Sequence, residues 1–307
     1  MAPVRGSKFP AVGASIFAAG AVLGLLIAYL AGGPSAIKIA GPGGMDGIMF
    51  RIDINLNFLR GNPYSRISEK EAKKTAAELP WVHRVRLFED FVTGGQWEED
   101  RGFHIPTNLT GQSFLDLGAW DGYFTFLAED RGASSVTAVD YCCWGGREYG
   151  VPEKPDIPWN KGGSCCPADG RTFKLAHAVR KSKAKAVRVN VYDLRPEFVG
   201  GQHDVVLFAG VLYHLRFPFL AMTRVASVTK RMLIIETTIS PKIETNPEPV
   251  LLFYPGKELN NDPTNWFDFN VPSLTAMLRV LGFVRVELVN HNHSKDMPRV
   301  TLHAYKY

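Results

Sequence analysis

The residues best suited to chemistry in this sequence are acids that close short apolar runs. Asp116 closes the run Ser113–Leu117 (SFLDL), Asp140 follows Val136–Val139, and Asp193 follows Lys185–Val191. Between the first two lies the turn Gly118-Ala-Trp120-Asp-Gly122, followed by Phe124, Leu127 and Ala128 at helical spacing. Glycines at such a turn let backbone approach a ligand closely and aim a helix N-terminus at it. An acid at the end of the second strand suits a ribose diol, and Asp193 suits an adenine amino group. The chemistry is nucleotide binding. The G-x-G-x-x-G spacing of a dinucleotide site is missing.

A second group of candidates follows the apolar run Asp204–Gly210. There Val211-Leu-Tyr213-His214-Leu-Arg216 begins just beyond the strand. His214 is a candidate general base at neutral pH, with His83 and His104 as further candidates nearer the N-terminus. Tyr213 is placed to orient an acceptor or the cofactor. Trp120 is a candidate wall of the nucleotide pocket. Arg216 and Arg299 are candidate receivers for an anionic acceptor. Cys142-Cys143 and Cys165-Cys166 sit in a Gly-, Pro- and Trp-rich insert, Cys142–Gly170. Adjacent cysteines point apart, unlike zinc-binding C-x₂₋₄-C pairs. We therefore read thiols over the cofactor end and no metal site, with zinc or a redox bridge as the alternatives.

These residues need a scaffold that gathers strand ends. Ser113–Tyr141 reads as one βαβ unit, its helix closed by Gly132. Strands at Lys185–Val191, Asp204–Gly210 and Arg231–Glu236 alternate with helices at Arg171–Ser182 and Phe219–Val228. That alternation predicts an α/β fold with a doubly wound parallel sheet, whose ligands bind beyond the carboxyl ends of the strands. A helix at Ser273–Leu281 and two strands at Phe283–Val289 and Val300–Tyr305 complete it. Pro241–Asn270 is too long for a plain connection and is expected to be a lid or substrate wall. Ahead of the sheet, Ser68 to Leu79 carries capping-box chemistry for a short helix. Trp81–Val92 alternates like a strand or hairpin arm.

The chain has 307 residues and a formal net charge of +5, so nucleic acid or an anionic surface is permitted as a partner without being indicated. Phe9 to Ile37 hold no charged side chain. Residues 1–44 are read as a transmembrane anchor, with membrane contact through 10–31, or as a dispensable extension ahead of Met45. A signal peptide is the weaker reading. Residues 45–110 form an N-terminal cover, and 111–307 the catalytic domain, which cofactor supply requires to be cytoplasmic. Oligomeric state is not legible.

From about Trp81 onward the chain resembles class I S-adenosylmethionine (AdoMet) methyltransferases, within them the group related to the tRNA wobble-uridine carboxymethyltransferases. The resemblance rests on Trp81-Val-His83, Thr93-Gly94-Gly95, Leu115-Asp-Leu-Gly-Ala-Trp-Asp-Gly122, Gly210-Val-Leu-Tyr-His214, Pro218, Asn261-Asp-Pro-Thr-Asn265-Trp266 and Gly282-Phe283. It implies a Rossmann-like sheet of seven strands with an antiparallel last strand, and AdoMet as cofactor. Gly118 and Gly122 would face the methionine end with Asp116 nearby, Asp140 would take the ribose and Asp193 the adenine. In the wobble-uridine enzymes a Tyr, an Arg and a Lys contact the carboxylate of carboxy-AdoMet. Tyr213 and Arg299 match the first two, whereas the lysine's place falls near Glu98. An acid there repels a carboxylated cofactor, so plain methyl transfer to an O or N acceptor is expected. A small molecule, glycan or lipid acceptor is favoured, with tRNA or a non-catalytic AdoMet-binding role as alternatives.

Overall fold

The computed structural model describes residues 37–40, 51–96, 103–145, 169–292 and 298–307. The expected anchor at 10–31, Glu98, Cys165 and Cys166 lie outside them. Among the described residues no helix is long and apolar enough to cross a membrane.

Strands β1 (Ile37–Ala40) and β2 (Arg51–Ile54) pair antiparallel. Helix α1 (Glu69–Glu78) starts at Ser68, whose hydroxyl accepts from the Glu71 N–H while Glu71 answers the Ser68 N–H, the reciprocal cap expected there. A small hairpin, β3 (Arg86–Phe88) with β4 (Phe91–Val92), follows. The central unit comprises β5 (Ser113–Leu117), α2 (Tyr123–Asp130) and β6 (Ser135–Asp140). Then come α3 (Arg171–Val179), β7 (Lys185–Arg188), α4 (Pro196–Val199), β8 (His203–Ala209), α5 (Pro218–Val228) and β9 (Thr229–Thr238). The chain closes with β10 (Leu251–Phe253), β11 (Phe267–Phe269), α6 (Val271–Val280), β12 (Arg285–Asn292) and β13 (Arg299–Tyr305).

Seven of these strands form one sheet in the order β12-β13-β9-β8-β5-β6-β7, with β13 antiparallel to both neighbours and the β9-to-β7 half parallel. The central strands are covered on both faces, which is why β8 carries Val205 to Phe208 without a polar break. One face packs on α5 and α6 through Met222, Val225, Leu274 and Leu278. The other packs on α2, α3 and the N-terminal cover through Phe126, Phe173, Trp81 and Leu109.

Three expectations change. Trp81–Val92 is not one long arm: Thr93 Oγ1 accepts from Val85 N and donates to His83 O, folding the segment back after two short strands. Pro241–Asn270, read as an excursion without structure of its own, is hydrogen-bonded along its length. Buried Asn270 donates to the carbonyls of Ile243, Asn246 and Glu248, and β10 pairs with β11 across it. The cysteines also differ from the thiol reading, because Cys143 is disulfide-bonded. Its neighbour Cys142 is exposed.

Candidate active site

The parallel strands deliver their functional residues to one edge of the sheet, in two clusters. The first is the glycine turn. Gly118 and Ala119 donate their N–H groups to Val139 O at 2.8 and 3.0 Å, which seats the turn on the end of β6. Gly118 has φ +89°, and a Cβ there would lie 2.5 Å from Val211 Cγ2 on the loop after β8. Gly122, at φ +91°, is the N-cap of α2, and a Cβ on it would strike Phe126 and Phe173 at 2.6 and 2.7 Å. Only glycine satisfies both constraints at either position. Trp120, between them, adopts φ +49° as a non-glycine. Its backbone N–H donates to Asp140 Oδ2 at 3.0 Å, its carbonyl accepts from Trp144 Nε1 at 2.9 Å, and its ring is half-buried.

Asp116 and Asp140 are both buried, at 1% and 7% exposure. Asp116 accepts from Thr125, with Oγ1 at 2.6 Å, and Asp140 accepts from Trp120 N and Cys143 N. Burial pushes the Asp116 carboxyl up to about 7 and Asp140 up to about 6, against the pull of those donors. Among the described residues no lysine or arginine pairs with either acid. Asp193 stands at the end of β7 on the turn Val191–Asp193, its carboxyl raised by burial. Asp116 in β5, Asp140 closing β6 and Asp193 after β7 therefore stand at the ends of three adjacent parallel strands.

The second cluster surrounds Tyr213. The Arg299 guanidinium lies 4.9 Å from the Tyr213 ring and is gripped by Glu236, with Nε on Oε1 and Nη2 at 2.9 Å from Oε2. Desolvation works against the charged guanidinium, but the Glu236 carboxylate outweighs it and holds Arg299 protonated. Glu236 Oε2 also accepts from Gly210 N. His214 is held against the segment Pro241–Asn270, its Nδ1 3.1 Å from Thr264 Oγ1, and burial lowers it to about 4. Arg216 belongs to neither cluster; it lies 4.7 Å over the Trp266 ring.

Sequence reading misses Glu236, which looks like an ordinary strand end, and Asp121. Asp121 is fully buried and binds the cover: Oδ2 accepts from Val82 N and His83 N at 3.1 and 2.8 Å, and Oδ1 faces His83 Nδ1 at 2.7 Å. The juxtaposed Trp81-Val-His83 and Thr93-Gly94-Gly95 motifs are the available signal. A Cβ on Gly95 would fall 2.2 Å from the His83 carbonyl, so the second motif exists to let the chain close over the first.

With this strand order, a glycine turn after β5 and acids at the ends of β5 and β6, the chain has the α/β fold of AdoMet-dependent methyltransferases. No protein-family model matches it. It is similar to the N-terminal domain of EvdMO1, solved with S-adenosylhomocysteine (SAH) bound, at 19% identity and TM-score 0.54 over 78% of this chain and 98% of that one. A second structure of that domain, obtained in the presence of SAH and D-fucose, gives 21% identity and TM-score 0.53, again over 78% and 98% of the two chains. Among curated proteins, the tRNA U34 carboxymethyltransferase of Ectopseudomonas mendocina is 28% identical over 74% of this chain and 64% of its own length. That of Alteromonas mediterranea is 24% identical over 70% and 59%. The chain thus spans about three fifths of the curated relatives it matches.

Proposed function

We propose that the chain is an AdoMet-dependent methyltransferase acting on an oxygen or nitrogen acceptor. The observation that carries this reading is the pair of buried acids, Asp116 and Asp140, neither paired with a lysine or arginine among the described residues. A buried carboxylate without a counter-charge is costly, and a ligand that brings cationic groups relieves that cost. AdoMet supplies a sulfonium-bound methyl group together with an ammonium, and the cradle fits it: Gly118 and Gly122 keep the turn clear of Cβ atoms, Asp140 serves the ribose and Asp193 the adenine. Trp120 walls the pocket. On the other side Tyr213 and His214 shape the acceptor space, with Arg299 and Arg216 at its edges. Methyl transfer is an in-line displacement, so this positioning supplies much of the rate.

The pairing of Arg299 with Glu236 supports plain methyl transfer over carboxymethyl transfer, since the guanidinium already has its carboxylate. We favour a small-molecule, glycan or lipid acceptor, consistent with the EvdMO1 domain having been crystallised in the presence of D-fucose. A tRNA acceptor is the second reading, favoured by the names of the curated relatives. A cytoplasmic catalytic domain, tethered or not by residues 10–31, belongs to the same proposal. Incubation with methyl-labelled AdoMet and a lysate split into RNA, lipid and small-molecule fractions tests it. Label in the RNA fraction selects the second reading, and label in none overturns transfer.

A further inference from the structure

We propose that His83, held by Asp121, is the proton acceptor of the transfer, so that the substrate is a hydroxyl or amine that gives up a proton as it takes the methyl group. The inference rests on the methyl-transfer reading above. His83 lies in the cover, 38 residues before Asp121, yet it is fixed on the glycine turn by three hydrogen bonds. Two of them lock its backbone and that of Val82, and the third fixes the ring. Thr93 and Gly95 close on the same residue from the opposite side. The imidazole stacks on Tyr123 at 5.3 Å and 19°, meets Phe124 edge-on at 5.3 Å and stands 6.5 Å from Trp120. It is wedged against the first residues of α2, beside the glycine turn that on the reading above holds the cofactor.

This geometry assigns the ring a tautomer. Asp121, as a carboxylate, accepts the Nδ1 proton, which leaves the Nε2 lone pair exposed to a donor. Nε2 makes no hydrogen bond among the described residues. A strut would need only the backbone bonds. The additional bond to Nδ1 orients a base, as a carboxylate does wherever a histidine must take up a proton and carry positive charge. His214 is less suited, because no carboxylate holds its Nδ1, which faces Thr264, and burial disfavours its protonated form.

The step balances without a further reagent. The acceptor's lone pair forms a bond to the methyl carbon while the carbon–sulfur bond breaks, its electron pair passing to sulfur to give SAH. The acceptor's proton moves to His83 Nε2, and the imidazolium formed is neutralised by Asp121 until the proton escapes to water.

Two measurements on the full chain test the assignment. AdoMet and SAH differ by the methyl group and one positive charge at sulfur, so a base beside the reacting atoms senses the difference. The ¹⁵N resonances of the His83 ring are expected to differ between the two complexes; identical resonances overturn the proposal. His83→Asn is expected to keep SAH affinity, by calorimetry, while methyl incorporation into the labelled lysate fraction falls about 100-fold or more. Unchanged incorporation, or a loss of SAH binding equal to the loss of transfer, assigns His83 a structural role and overturns it. If the wild-type chain binds neither ligand, the methyl-transfer reading itself fails, and this proposal with it.

Discussion

The two clusters at the edge of the sheet handle buried charge in opposite ways. Around the glycine turn, Asp116 and Asp140 are buried with hydroxyl and amide donors but, among the described residues, no lysine or arginine partner. Around Tyr213, Glu236 is as deeply buried, at 3% exposure, and is occupied on both oxygens by Arg299. The Tyr213 cluster is electrostatically complete and braces β9 against β13. The glycine-turn cluster lacks such a pair among the described residues, and burial raises its acids towards neutrality. On the proposed function, the unpaired acids belong to the ligand site and the paired ones to the frame that holds it.

The largest effect that can break this contrast is expected at the complete cluster. Glu236→Ala leaves a buried guanidinium without its partner and is expected to cost about 3–5 kcal/mol in urea unfolding. The double variant with Arg299→Met is expected to recover much of that loss, whereas additive losses would show that the pair is not coupled. Next comes Gly122→Ala. The left-handed φ and the contacts with Phe126 and Phe173 predict about 2–3 kcal/mol of destabilisation in the same experiment, accompanied by loss of SAH binding.

Asp140→Ala removes a charged acceptor from the ligand side, and SAH affinity by calorimetry is expected to fall about 10- to 100-fold. The smallest effect concerns pH. Asp116 titrates near 3.8 when unfolded and about 7 when folded, so between those values the folded chain binds more protons. Its contribution to stability is therefore lost as pH rises from about 4 to about 7. Thermal melts of Asp116→Asn are expected to show a flatter pH dependence across that window than wild type.

The glycine-turn cluster is also the more legible from sequence. Ser113–Leu117 reads with its observed limits and the following helix with one residue too many at its end, because continuous apolar strands and a glycine turn are local signals. The antiparallel pairing of the last two strands follows from their proximity in the chain. Glu236 reads as the end of a strand because its partner is 63 residues away, and no periodicity reports a partner at that distance. Asp121 is absorbed into the glycine turn for the same reason. The segment Pro241–Asn270 looks like an excursion because its composition is polar. Its order comes from the pairing of β10 with β11 and from Asn270, which caps α6 and binds three carbonyls of the segment before it. Such an anchor leaves no pattern in sequence beyond a single Asn.

The central claim is that the glycine-turn cluster is completed by AdoMet, and calorimetric titration of the full chain with AdoMet tests it most directly. The expected result is saturable binding at one site per chain, weakened about tenfold or more by Asp140→Ala and unaffected by Arg216→Ala. Absence of binding by the wild-type chain, or binding indifferent to Asp140, would contradict it.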